Sequence, residues 1–314
     1  MDRAHTDAQQ RTVARPLTCT GIGLHTGRRV VMRILPAPVN AGITFLRTDT
    51  SPHVEIPARI ENVTSANLAT TLGKNGVTIA TVEHVLGALC GLGIDNAIIE
   101  VNGPEIPILD GSAAPFVFLI REVGTRIQNA PKRFVVVKRP VQVRLAGKAA
   151  ALFPANEFKI SYRVDFEHPM VTDQRFTLGF SASAFQREIA RARTFGFVRD
   201  LAALKERGLA RGGSLDNAIV LDEFRVLNQD GLRYPDEFVR HKILDSMGDL
   251  SLLGMPLIGH LVAVCSGHDL NHRVVRKLLA TPDAFAVVEA REEKVREHAL
   301  TLPAFGALEP EAVL

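Results

Sequence analysis

The sequence predicts a mixed fold of helices and strands arranged in two halves. Strand-like and helical segments alternate along the 314 residues, a length that accommodates two ordinary domains. Each half contains a helical segment with a histidine near its start, a glycine at its end and an apolar strand after it. This correspondence suggests a duplicated unit, with a site between the halves to which each half contributes one histidine.

The first half begins with short strands and continues with two helices. Residues 18–45 contain strand-like runs with glycine turns, among them GIGLHTG and RRVVMRIL. Residues 81–92, TVEHVLGALCGL, have apolar side chains at helical spacing and end in glycines. The apolar run IDNAIIEV then predicts a strand, and residues 114–123 predict the second helix.

Turn-forming and charged residues are concentrated in the segment GTRIQNAPKR, residues 124–133, which is the predicted domain boundary. We therefore divide the chain into an N-terminal domain, residues 1–130, and a C-terminal domain, residues 131–314. In the second domain FVVVKRPVQVRL restarts a strand-rich pattern, and GHLVAVCSG predicts a later strand. Helices are predicted at residues 184–193, 236–253 and 269–280.

Composition and charge exclude several classes of protein. A net charge of +3, dispersed basic residues and the absence of Trp disfavour nucleic-acid binding. The longest nearly uninterrupted apolar stretch, residues 255–265, is shorter than the roughly 18 residues needed to span a bilayer. The first fifteen residues lack the apolar core of a secretory signal, and the three cysteines lie far apart. These features predict a cytoplasmic protein.

The predicted helix at 236–253 carries a candidate metal site. His241, Asp245 and Asp249 follow one another at intervals of four residues, so they share one face of the helix. An imidazole and a carboxylate one turn apart can chelate a single ion, and a nitrogen and oxygen ligand set suits zinc. The alternative is a surface helix that carries an ordinary His–Asp pair.

A third ligand must come from elsewhere, and His84 is the best candidate among the ten histidines. Three protein ligands leave one position open, as in catalytic zinc sites. Glu83 precedes His84 and is rotated from it by about 100° around a helix, which suits a base beside the metal. The alternative is a first-turn acid that complements the helix dipole.

His268, in the motif SGHDLN, is the candidate proton donor. A helix N-terminus would lower the pKa of a histidine, whereas pairing with Asp249 would raise it and keep the imidazole protonated. Such a residue could donate a proton to a leaving amine. The alternative is a polar turn residue without a catalytic role.

Several long motifs, in order, resemble the UDP-3-O-acyl-N-acetylglucosamine deacetylase family. They are GIGLHTG, TVEHVLGAL, GLGIDNAIIEVNGPEIPILDGSAAPF, ARARTFGF, RGLARGGSLDNAIV, FVRHKILDSMGDL and SGHDLN, and together they cover almost the whole chain. The resemblance implies an α+β fold of two β-α-α-β domains that sandwich their helices between two sheets. Each domain is expected to carry an inserted element, and the active site is expected where the domains meet.

The resemblance also implies roles for individual residues. The zinc ligands are expected to be His84, His241 and Asp245, the base Glu83 and the protonated histidine His268. Asp249 corresponds to the carboxylate that supports that histidine, and Thr194 to the hydroxyl that stabilises the oxyanion. Lys242 is expected to contact the sugar-nucleotide part of the substrate, and Phe195 and Asp200 its hexosamine part. A passage for the acyl chain is expected at Val198, Leu201, Ala210, Gly213, Ser214, Ala218 and Val220.

The activity that the resemblance implies is a zinc-dependent hydrolysis with one catalytic Zn²⁺ per chain. Hydrolysis of the 2-acetamido group of UDP-3-O-acyl-N-acetylglucosamine would give UDP-3-O-acyl-glucosamine and acetate. This reaction is the committed step of lipid A biosynthesis. We expect a monomer that binds this acylated UDP-sugar, binds no nucleic acid, has no transmembrane segment and contacts the inner membrane transiently.

The rival interpretation is a non-catalytic regulator that binds a sugar nucleotide or a metal. Glu83 and His268 argue against that interpretation, because binding alone needs neither residue.

Overall fold

The computed structural model describes residues 8–290 of the chain. Residues 1–7 and 291–314 lie outside the described part. The two outer ends of the predicted domains and the start of the polar N-terminal segment fall in these residues. Within residues 8–290, no helix is long and apolar enough to cross a membrane.

The first half contains ten strands and two helices within the described residues. In chain order these are β1 (Gln9–Val13), β2 (Leu17–Ile22), β3 (Arg29–Pro36), β4 (Ile43–Arg47), β5 (Val54–Pro57), β6 (Val63–Ser65), β7 (Thr71–Lys74), β8 (Val77–Ile79), α1 (Glu83–Gly91), β9 (Ala97–Val101), α2 (Ala114–Val123) and β10 (Thr125–Pro131). A single 3₁₀ turn, Ile60–Asn62, precedes β6. Both helices predicted for this half are present.

The second half has the same kinds of element in a similar order. They are β11 (Arg133–Val137), β12 (Val141–Leu145), β13 (Lys148–Phe153), β14 (Phe158–Val164), β15 (Gln174–Gly179), β16 (Phe195–Phe197), α3 (Val198–Glu206), β17 (Ile219–Leu221), α4 (Glu237–Ser251), β18 (Leu257–Val264), α5 (His268–Leu279) and β19 (Phe285–Glu289). The last two predicted helices correspond to α4 and α5. The α+β class is therefore confirmed.

The two halves share one sheet topology. The first sheet has the strand order β2, β3, β9, β4, β5, and strands β12, β13, β18, β14, β15 pair in the same order in the second sheet. In each sheet the middle strand is antiparallel to its neighbour on one side and parallel to its neighbour on the other. Each half also has an insert before its first long helix: β6 to β8 in one, and β16, α3 and β17 in the other. The duplicated unit suggested by the sequence is present in this topology.

Two segments differ from the sequence prediction. The helix predicted at 184–193 begins earlier, at Ala182–Ala184, where the Ser181 side chain caps it, and it ends with a π-helical turn, Phe185–Ile189. The boundary segment 124–133 is mostly strand rather than loop, because β10 pairs antiparallel with β1. Backbone pairing with a distant strand outweighs the local turn preference there. The domain division after residue 130, which falls inside β10, stays a prediction.

Helices α1 and α4 pack against each other at the centre of the molecule. Twelve of the fifteen residues of α4 are buried, which excludes the surface-helix alternative. Glycines bring the two backbones close: a Cβ on Gly87 would lie 2.7 Å from Leu244 Cδ1, and one on Gly248 would lie 2.1 Å from the Glu83 carbonyl oxygen. Because the contact pairs 87 with 244 and 83 with 248, the helices run antiparallel. The N-terminal turn of α1 therefore lies beside the second half of α4.

Candidate active site

Three potential metal ligands from α1 and α4 lie together in the interior. The ligand atoms of His84, His241 and Asp245 are all within 4.8 Å of one another, and all three residues are buried. Asp245 Oδ1 is 3.5 Å from His84 Nε2 and 3.3 Å from His241 Nε2. One helix turn separates His241 from Asp245, and the close approach of α1 adds His84.

The contacts around His241 and Asp245 leave His241 Nε2 and Asp245 Oδ1 available to bind a metal ion. His241 Nδ1 lies 3.0 Å from the Ala192 carbonyl oxygen, so Nδ1 carries the hydrogen and Nε2 keeps its lone pair. Burial lowers the pKa of His241 to about 4, which favours the neutral imidazole. Lys242 Nζ donates to Asp245 Oδ2 at 2.7 Å, whereas the buried Oδ1 has no hydrogen-bond partner among the described residues. Two imidazole nitrogens and an unpartnered carboxylate oxygen fit a zinc ion.

Glu83 lies beside this cluster at the first position of α1 and is almost completely buried. Its Oε2 accepts the Thr70 amide at 3.0 Å, and its Oε1 is 3.8 Å from His268 Nε2. Burial raises the pKa of Glu83, because ionisation is unfavourable away from water. A first-turn acid that only complemented the helix dipole would not need to be buried opposite an imidazole.

His268 is the first residue of α5 and pairs with Asp249 of α4. Its Nδ1 lies 2.9 Å from Asp249 Oδ2, so the other ring nitrogen faces Glu83. Burial alone would lower the pKa of His268, but the charge of Asp249 outweighs it and raises the pKa to about 9. Burial likewise opposes ionisation of Asp249, yet the imidazoles of His268 and His272 lower its pKa well below the usual range. The buried carboxylate of Glu83 therefore lies opposite the protonated imidazole of His268.

The structure decides which carboxylate belongs to which cluster. Asp245 lies against the two histidines of the potential metal site, whereas Asp249 accepts hydrogen bonds from four other side chains. Those donors are His268, Asn271, His272 and Thr70. Helical spacing in the sequence left the two carboxylates equivalent.

Three residues in this network were missed in the sequence. Asn271 and His272 follow His268 by about one helix turn, a spacing that could have identified them as its neighbours. Thr70 precedes β7 in the insert of the first half, and nothing in its local sequence indicates a contact with α4 or α5. All three side chains are fully buried.

Phe195 and Lys242, two of the residues expected to contact the substrate, lie close to His241 and Asp245. The Phe195 ring is 6.3 Å from the His241 ring, and Thr194 donates its amide to the Gly111 carbonyl oxygen of the first half at 2.8 Å. Lys242 is engaged by Asp245, and that carboxylate raises the pKa of Lys242 although burial opposes it. Asp200, in contrast, is exposed in the first turn of α3.

The residues expected to form the acyl passage all lie in the insert of the second half. None of the residues of α3 is buried, and Val198 at its start is 41% exposed. The loop after α3 reaches the first half: the Arg211 and Gly212 amides donate to the carbonyl oxygens of His25 and Leu24 at 3.2 and 3.0 Å. The remaining expected residues are Leu201, Ala210, Gly213, Ser214, Ala218 and Val220, which are half-buried or exposed.

Two further histidines, His25 in the motif GIGLHTG and His168 in the segment FEHP, have different environments. His168 accepts the Met170 amide at Nδ1, and its Nε2 lies 2.9 Å from the Asp222 carbonyl oxygen, so both ring nitrogens hold loops together. Both ring nitrogens of His25 are buried without a hydrogen-bond partner among the described residues. These contacts favour a structural role for His168.

A cavity of about 540 Å³ lies on another side of the α1 and α4 pair. Leu86, Leu89, Met247 and Leu250 contribute to its apolar wall. None of the predicted metal, acid or base residues lines it, so this cavity is separate from the cluster described above.

One protein-family model and several known proteins match this chain over most of its length. Residues 10–280 match the model of the LpxC family, UDP-3-O-acyl N-acetylglycosamine deacetylase. Proteins named UDP-3-O-acyl-N-acetylglucosamine deacetylase are similar over nearly the full length. The protein from Myxococcus xanthus (strain DK1622) is 54% identical over 286 residues, 91% of either chain. The protein from Anaeromyxobacter dehalogenans (strain 2CP-C) is 55% identical, and the match covers 90% of this chain and 92% of that protein. The protein from Coxiella burnetii (strain CbuK_Q154) is 51% identical, and the match covers 90% of this chain and 94% of that protein.

Proposed function

Because this chain belongs to the UDP-3-O-acyl N-acetylglycosamine deacetylase family, we propose that it hydrolyses the 2-acetamido group of UDP-3-O-acyl-N-acetylglucosamine. The products would be UDP-3-O-acyl-glucosamine and acetate, in the lipid A pathway. The proposal includes one Zn²⁺ per chain, held by His84, His241 and Asp245.

One observation carries the zinc part of the proposal. Within residues 8–290 the buried Asp245 Oδ1 has no hydrogen-bond partner, although it lies within 3.5 Å of two imidazole nitrogens. An ionised oxygen without a partner in the interior is unfavourable, and a shared cation would remove the penalty. A bound Zn²⁺ would polarise the acetamido carbonyl and lower the pKa of a water molecule.

The protein groups around this position support acid and base catalysis. Glu83 Oε2 is held by the Thr70 amide, so Oε1 is the oxygen free to take a proton from the attacking water. His268 Nε2 carries a proton, because Nδ1 is bound to Asp249 and the imidazole is protonated at neutral pH. That proton would pass to the glucosamine nitrogen as the amide bond breaks. The Thr194 hydroxyl would donate to the oxyanion of the tetrahedral intermediate.

The decisive experiment measures acetate release from the purified protein and this substrate. We expect activity that a chelator abolishes and that added Zn²⁺ restores. Glu83→Gln and His268→Ala should each lose most of the activity while keeping zinc, since neither residue is a proposed ligand. Near wild-type turnover in the zinc-loaded double variant would refute the acid and base pair. Binding of substrate without any turnover by the wild-type protein would favour the regulator interpretation instead.

The expected monomer and cytoplasmic location also belong to this proposal. The cytoplasmic location is supported by the three free cysteines, which lack the paired spacing of a disulfide framework and fit a reducing compartment. Light scattering of the purified protein tests the monomer, and cell fractionation tests the location.

A further inference from the structure

Thr70 is the residue that joins the base of the proposed reaction to the acid. Its amide donates to Glu83 Oε2 at 3.0 Å, and its hydroxyl donates to Asp249 Oδ1 at 2.5 Å. Its carbonyl oxygen accepts the amide of Val82, the residue before α1, at 3.3 Å. Thr70 is fully buried, so these bonds form away from water, where their geometry is well defined.

Hydrogen positions follow from the chemistry of the groups around the Thr70 hydroxyl. An ionised carboxylate only accepts hydrogen bonds, so the single hydroxyl hydrogen points to Asp249. His272 Nε2 lies 3.1 Å from both Asp249 Oδ1 and Thr70 Oγ1, two acceptors, and therefore carries a hydrogen. Thr70 and His272 thus hold Oδ1, while His268 and Asn271 hold Oδ2 at 2.9 Å each. Asp249 is held on both oxygens in a single orientation.

We propose that Thr70 is a positioning residue that aligns Glu83 with the Asp249 and His268 pair. The inference rests on the proposed deacetylase function. Without the hydroxyl, Asp249 Oδ1 would keep only its bond to His272, and the carboxylate could turn away from His268. Glu83 would keep the Thr70 amide, so the acid would be displaced more than the base. The distance of 3.8 Å between Glu83 Oε1 and His268 Nε2 would then no longer be fixed.

A positioning role predicts a specific kinetic pattern. Thr70 is fully buried and is bonded to Glu83 and Asp249, so the substrate should not contact it, and its loss should lower kcat and leave KM nearly unchanged. Zinc content should also stay at the wild-type level, since none of the hydrogen bonds of the Thr70 side chain involves His84, His241 or Asp245. Loss of a hydrogen bond to a charged carboxylate that fixes the active arrangement should lower the rate by about 10- to 100-fold.

The experiment compares Thr70→Val, which keeps the shape but removes the hydroxyl, with Thr70→Ser, which retains it. We expect kcat to fall about 10- to 100-fold in Thr70→Val, whereas Thr70→Ser should keep most of the wild-type kcat. Thr71→Val is the matched control, because Thr71 is linked to Thr64 through its carbonyl and not through its hydroxyl. It should keep wild-type kcat. If Thr70→Val does not fold, Thr70→Ala removes the same hydroxyl without adding bulk.

A double-mutant cycle with Asp249→Asn then tests whether Thr70 acts through Asp249. In that background Thr70→Val should lower kcat by less than about threefold, because coupled residues are not additive. A full additional loss there, an unchanged kcat in Thr70→Val, or no recovery in Thr70→Ser would each overturn the positioning role. A wild-type protein that releases no acetate would instead refute the proposed function, so the two failures are distinguishable.

Discussion

Gly248 of α4 lies directly against the backbone of Glu83 in α1. A Cβ on Gly248 would be 2.1 Å from the Glu83 carbonyl oxygen and 2.8 Å from its Cα, closer than real Cβ atoms approach other atoms. This contact allows the helix that carries His84 to approach the helix that carries His241 and Asp245. The proposed metal site therefore depends on the absence of a side chain at position 248.

Gly248→Ala should destabilise the protein, although alanine is the better helix former. Overpacking of a tight contact costs about 1–3 kcal/mol of unfolding free energy, more than the gain of about 1 kcal/mol in helix propensity. Urea unfolding of metal-free protein measures the change. Gly179→Ala is the control, because its Cβ would be 3.6 Å from the nearest atom, the Glu157 carboxylate. Equal stability of Gly248→Ala and wild type would contradict the tight contact.

Zinc content should separate Asp245 from Asp249. We expect about one zinc per chain in the wild type, and loss of it in His84→Ala, His241→Ala and Asp245→Ala, since a catalytic site has three protein ligands. Asp249→Ala should keep the metal, because its carboxylate is bound to His268 and His272. Metal analysis of the dialysed variants is the measurement. Retention in Asp245→Ala together with loss in Asp249→Ala would exchange the two roles.

The pH profile of kcat/KM should be bell-shaped with a basic limb near the pKa of His268, about 9. The reaction needs His268 protonated, so activity falls as pH rises through that pKa. The acidic limb should lie above the ordinary Glu value, because burial raises the pKa of Glu83 and activity falls as the carboxylate is protonated. Asp249→Asn removes the charge that favours the imidazolium, so the basic limb should move to lower pH. A basic limb that persists in His268→Ala would belong to another group.

Gly213→Leu should impair substrates with long acyl chains more than those with short chains. A bulky side chain in the proposed acyl passage clashes only with chains that reach it. Gly213→Ala is the matched control: its Cβ would lie 3.4 Å from the Ala210 carbonyl oxygen and 3.7 Å from Leu24 Cδ1, which needs little adjustment. Kinetics with substrates of several chain lengths provide the measurement. The same relative loss for every chain length would remove Gly213 from the passage.

The sequence by itself determined the features that depend on local spacing. Intervals of four residues placed His241, Asp245 and Asp249 on one helix face, because the periodicity of a helix is a local property. Ordered motifs likewise indicated the family and, through it, the α+β class, and the alternation of elements indicated a mixed fold; all three are confirmed. The proximity of His84 to α4 was expected from the matching histidine-bearing helices of the two halves and from the resemblance, and not from spacing along either helix.

Only the tertiary structure decided which of these groups meet. Thr70 and Asp249 are 179 positions apart, and their hydrogen bond exists because the insert of one half folds over the helices of the other. In the same way, the distribution of partners between Asp245 and Asp249 depends on how α1 and α5 pack against α4. Contacts between distant segments depend on the packing of the whole chain, and no local pattern of residues encodes them.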